Sequence, residues 1–161
     1  MHRSKAAILA LLACCSCNLL PGKNRFAVKC SGNEHVTGET DGLPPDSIDQ
    51  RDVRTYVFDT ARRAIYRVDP NIVGNICSSG AQCDVEITPD RAAAITSETR
   101  TTSSAGKLVT QLQFSLDRRT GELNFTRTME FKGSEFGNII KTEGDYSCIS
   151  TDVPDFKVPS V

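Results

Sequence analysis

Strict alternation of apolar and polar side chains over residues 108–131 leaves few folds open. Leu108, Thr110, Leu112, Phe114 and Leu116 alternate with Val109, Gln111, Gln113 and Ser115. After Asp117-Arg118-Arg119-Thr120-Gly121 the inward series resumes at Leu123, Phe125, Met129 and Phe131. Successive side chains of a strand point to opposite faces, so this pattern predicts an antiparallel hairpin with one buried face. Asp117 suits the start of the connecting turn, and Gly121 suits the left-handed position that closes it with a bulge. Arg127 stands where an apolar residue is due, which puts it at a rim or beside an acid.

The same period recurs along the chain. Phe26, Val28 and Cys30 share a face of a first strand, and residues 31–51, with Gly32, Gly38, Gly42 and Pro44-Pro45, read as a long polar loop. Strands are expected at 52–59, 63–69, 84–88, 91–99 and 138–149, with residues 70–83 irregular. No segment carries a convincing helical stripe. Together these features predict an all-β fold, an antiparallel meander of about eight short strands forming a small disulfide-stapled barrel or half-barrel. The likeness of Phe58–Arg63 to Leu116–Gly121 reads as shared turn chemistry.

The start of the chain reads as an address. Arg3 and Lys5 precede the apolar run Ala6–Ala13 and then Cys14-Cys15-Ser16-Cys17. A basic start, a short apolar core and small residues describe an export signal, whereas a spanning helix needs roughly 20 apolar residues. Leu11-Leu12-Ala13-Cys14 resembles the lipobox of bacterial lipoproteins, which makes Cys14 the candidate lipid anchor and Cys17 the alternative. The expected organisation is a leader over 1–17, a short tether over 18–24, one β domain over 25–149 and a tail over 150–161. An exported, periplasmic or outer-membrane-anchored protein is expected, with secretion as the alternative. Membrane contact is expected only through the N-terminal lipid.

Composition removes several function classes. The formal net charge of −1 is too balanced for a nucleic-acid binder. With His2 in the leader and His35 as the remaining histidine, histidine metal sites and triad chemistry lose their ligands. No cofactor, metal or catalytic motif is present.

Beyond the leader stand Cys30, Cys77, Cys83 and Cys148, an even set that in an exported chain reads as two disulfides with three possible connectivities. Cys77 and Cys83 enclose a small flexible loop, and by elimination Cys30 joins Cys148. With eight strands, however, Cys30 and Cys148 fall at opposite ends of the sheet. That pairing therefore needs a longer first strand, a shifted register or a different strand count. Cys30–Cys77 with Cys83–Cys148 is the rival. A four-thiolate zinc site lacks paired short spacings.

Several segments taken together resemble small, uncharacterised exported proteins of alphaproteobacteria. They are the lipoprotein-like leader, Lys29-Cys30-Ser31-Gly32, Tyr56-Val57-Phe58-Asp59 before two close cysteines, the 117–121 turn and Gly144-Asp145-Tyr146-Ser147-Cys148. The resemblance implies export and a disulfide-bearing β domain; it carries no known activity.

In a meander, alternate connections share one end of the sheet. Five arginines, Arg62, Arg63, Arg91, Arg118 and Arg119, therefore gather on one rim, a candidate contact for anionic headgroups or an acidic partner. The opposite end receives Glu34, Glu39, Asp41, Asp46 and Asp49. The functional expectation is a non-enzymatic envelope protein binding an apolar ligand, lipid or partner protein. In that reading the inward residues Leu108, Leu112, Phe114, Leu123, Phe125, Met129 and Phe131 are packed core or pocket lining. The alternatives are an envelope hydrolase using Glu34, Glu39 or Asp41 of the 31–51 loop, and an inhibitor or assembly factor touching its target through that loop.

Overall fold

The computed structural model describes residues 24–70, 72–77, 80–102, 106–133 and 138–157. Cys14 and Cys17 lie outside them. Nine strands run in chain order: β1 (Arg25–Thr40), β2 (Asp46–Asp59), β3 (Ala64–Asp69), β4 (Ile72–Asn75), β5 (Gln82–Ile87), β6 (Arg91–Thr102), β7 (Gly106–Asp117), β8 (Glu122–Lys132) and β9 (Asn138–Thr151). They form one antiparallel sheet in the order β4-β3-β2-β1-β9-β8-β7-β6-β5, an all-β meander curled into a half-barrel. The unpaired seam lies between β4 and β5.

Two expectations are corrected. Residues 31–51 are not a loop: β1 and β2 pair continuously from Arg25↔Asp59 to Gly38↔Asp46, leaving only 41–45 to turn. The irregular stretch 70–83 contains β4, four residues long, so the described strands number nine. Because β4 and β5 run in the same direction across the seam, β1 and β9 still meet antiparallel.

The longer first strand removes the obstacle to the cysteine pairing. Cys30 sits early in β1 directly opposite Cys148 late in β9, and the two form a disulfide. Cys77 and Cys83 form the other, tying the end of β4 to the start of β5 over the seam.

Turns at one end follow their sequences closely. Asp117 Oδ1 accepts from the amides of Arg119 and Thr120 at 2.8 and 3.2 Å, and Gly121 closes the turn at φ 77°. Asp59 plays the same part for β2–β3, accepting the Arg62 amide at 2.9 Å, and Arg63 takes the left-handed place at φ 49°. A side chain at that φ is unfavourable, and the Arg63 guanidinium offsets it by donating to the Val85 carbonyl at 2.8 Å across the seam.

The core lies inside the curl at this end. Phe58, Ile65, Leu116 and Leu123 are fully buried there, with Phe26 stacked on Phe58 at 4.6 Å and Tyr56 edge-on to Phe114 at 5.1 Å. A smaller cluster occupies the outer face. Ala27, Val57, Ala64 and Tyr66 are covered there by Val153 and Phe156, so the described part of the C-terminal segment packs against the sheet.

Candidate functional site

The strands differ greatly in length, and that difference creates the site. β3 pairs only with Tyr56–Asp59 of β2, and β5 only with Ala92–Ser97 of β6. Around the turn-bearing end, the base, all nine strands contribute and the curl is filled. Beyond it β1, β2 and β6–β9 continue alone, and their inner face opens as a trough. No described strand pairs with the far side of β2 before Tyr56 or of β6 after Ser97.

Cross-strand pairing fixes which side chains enter the trough, since residues directly opposite share a face. At its floor lie Glu34, Arg54 and Gln50. Glu34 is buried, forms an ion pair with Arg54 and accepts from Gln50 Nε2 at 2.7 Å. Arg54 also donates to Asp52 at 2.6 Å, and its guanidinium lies 5.0 Å from the Phe125 ring centre and 5.6 Å from that of Tyr146. Burial alone would lower the Arg54 pKa. Tyr56, Tyr146 and Glu34 outweigh it and hold the group above its usual value. Burial, opposed by Arg54 and reinforced by Glu34, pushes the Tyr146 phenol well above an ordinary tyrosine.

Two glycines make room for these rings. A Cβ on Gly32 would fall 2.0 Å from the Asp145 carbonyl oxygen and 2.8 Å from Tyr146 Cγ. One on Gly144 would fall 2.4 Å from Phe125 Cε1. Each aromatic ring therefore lies over a neighbouring glycine, a device that steadies a strongly bent sheet.

Above the floor the inner wall carries a partly covered apolar stripe, Leu108, Leu112, Met129, Phe131, Ile140 and Val36, flanked by polar residues that include Thr96, Glu98, Thr110 and Thr142. Arg127 keeps its inward position among them, between Thr142 on β9 and Leu112 on β7. Unlike Arg54, it has no carboxylate within ion-pair distance among the described residues. A cavity of about 140 Å³ lies under this wall, bounded by Glu34, Arg54, Arg67, Leu112, Phe125 and Arg127, among others. A broader depression of about 390 Å³ lies against the outer face of β5–β8, around Ile95, Gln113 and Asn124.

The structure gathers the five rim arginines at the base, where the β2–β3, β5–β6 and β7–β8 turns share one end. It also employs several of them there. Arg62 pairs with Asp59 at 2.9 Å, Arg63 holds Val85, Arg118 donates to the Thr88 carbonyl, and Arg91 reaches Ser115 Oγ at 3.3 Å. Arg119 stands 4.0 Å from both Asp90 and Asp117.

The acids proposed for hydrolysis do not converge. Glu34 faces inward under Arg54, Glu39 faces outward on β1 and Asp41 lies in the turn. His35 sits on a strand, with Nδ1 2.7 Å from Asp49 and both groups solvent-exposed.

Arg54 and Tyr146 escaped the sequence reading as site residues. The available signal was parity: 54, 56 and 58 share a face, as do 30, 32 and 34, so an extended β1 sets Glu34 beside Arg54. No protein-family model matches the chain, and searches of curated proteins and of solved structures return no match.

Proposed function

We propose that this is a non-enzymatic protein of the cell envelope that binds the apolar part of a small ligand in its trough. The observation that carries the reading is a single inner face packed solid at the base and left half-covered beyond it. Leu116, Leu123 and Phe58 at the base are excluded from solvent, whereas Leu108, Met129, Phe131 and Ile140 remain partly open. Concave, largely apolar surface with a few polar groups is the usual lining of a small-molecule site. Export, with lipid attachment at Cys14 or Cys17, belongs to the same reading. It is supported by the leader, by two disulfides of the kind oxidising compartments preserve, and by the resemblance to exported alphaproteobacterial proteins.

Titration with a neutral naphthylamine dye tests this. The intact protein should enhance the dye's fluorescence, and Met129→Asp combined with Ile140→Asp should weaken binding at least tenfold without altering the far-ultraviolet spectrum. Absence of dye binding, or indifference to the double change, would overturn it.

One observation favours a second reading. At the β1–β2 tip Leu43 is 65% exposed, so the hairpin presents an apolar side chain to a protein partner. Substituting Leu43 by serine should abolish capture of such a partner and leave dye binding intact.

A further inference from the structure

Among the described residues, Arg127 is the cation in the trough that the fold does not use. In its cross-strand row the inner-face residues are Ile48, Val36, Thr142, Arg127, Leu112 and Thr96, with no acid among them. The adjacent row toward the base offers Glu34, already bound by Arg54 and Gln50. The adjacent row toward the mouth offers Glu98, which is paired with Arg100 at 2.5 Å, and Asp46, at the hairpin end, whose Oδ1 takes the Ser47 amide. Every described acid near Arg127 on this face therefore has another partner.

Resting on the proposed function, we infer that the ligand is a single-chain amphiphile with a monocarboxylate head, and that Arg127 holds that head. One uncommitted guanidinium matches one negative charge and can donate two parallel hydrogen bonds to a carboxylate. The cavity of about 140 Å³ has room for about four water-sized groups, enough for a head and the first carbons of a chain. The apolar positions toward the mouth give the remaining chain its surface. Four residues of strand separate Arg127 from Phe131, roughly 13 Å at the rise of a strand. Met129, Ile140, Phe131 and Leu108 line that path, long enough for a chain of about ten carbons.

The inference separates from the broader reading by comparing decanoate with decanol. In calorimetric titration of the full mature chain at neutral pH, decanoate should bind at least tenfold more tightly than decanol. Arg127→Gln should remove that preference while leaving decanol affinity within twofold, and Arg127→Lys should restore part of it. Equal binding of both compounds, or a preference that survives Arg127→Gln, would overturn the carboxylate assignment and leave the apolar site standing. If neither compound binds, the proposed function falls and this inference with it.

Discussion

The base and the trough are two halves of one sheet, built from the same strands, with opposite outcomes. At the base β3, β4 and β5 complete the curl, so Tyr56, Phe58, Phe114 and Leu116 meet one another. In the trough the same faces of β2, β6, β7 and β8 have no such strands to close against, and Leu108, Met129 and Phe131 stay partly open. Apolar alternation along a strand thus specifies a face but not its occupant. The occupant depends on whether neighbouring strands run as far.

The largest expected contrast is between the two disulfides. Replacing Cys30 and Cys148 by serine reopens a loop of sequence separation 118. In the chain-entropy view that costs about 5 kcal/mol, and the urea midpoint should fall accordingly. The Cys77–Cys83 link spans a separation of 6, and its loss should cost only about 2 kcal/mol on the same basis. Equal losses would mean that the seam staple, and not the closure of β1 on β9, holds the base together.

Next comes a pair of phenylalanine truncations. Phe58→Ala removes a fully buried ring and should cost about 3–5 kcal/mol. Phe131→Ala removes a partly open one and should cost about 1 kcal/mol or less, since little of its surface leaves water on folding. Comparable losses in urea unfolding would show the trough to be packed as tightly as the base.

The smallest effect concerns acid. Burial raises the Asp59 pKa, but hydrogen bonds from Arg25 and from the Arg62 amide and guanidinium outweigh it and hold the carboxyl below its usual range. A lowered folded pKa contributes stability above the unfolded value of about 4, and loses it as pH falls through the folded value. Asp59→Asn should therefore flatten the acid limb of the stability curve and leave the slope near neutrality unchanged.

The hairpin of β7 and β8 and its Asp117–Gly121 turn were legible because each is locally determined, whereas the choice between the cysteine pairings waited on the register of β1 against β9. Alternation fixes the faces, the aspartate captures two amides and the glycine takes positive φ. The continuation of β1 through residues 31–40 was not legible, for a physical reason. There the inner face is filled without apolar side chains of its own: Gly32 makes room for Tyr146 and Glu34 is buried in an ion pair with Arg54, so these residues break the pattern that marks a strand. β4 escaped because four residues with a glycine carry too little pattern. Arg127 was visible as an exception in an apolar series. Its lack of a partner emerged only when the register showed Glu34 and Glu98 committed to other arginines.

Amide hydrogen exchange with and without decanoate tests the division of the sheet most directly. Without ligand, amides of β1 and β9 around Cys30 and Cys148 should be strongly protected, and those of 46–52, 98–102 and 126–131 should exchange faster. Decanoate should slow exchange in the second group and leave the first unchanged. Uniform protection along each strand without ligand, or slowing confined to the base, would contradict the account.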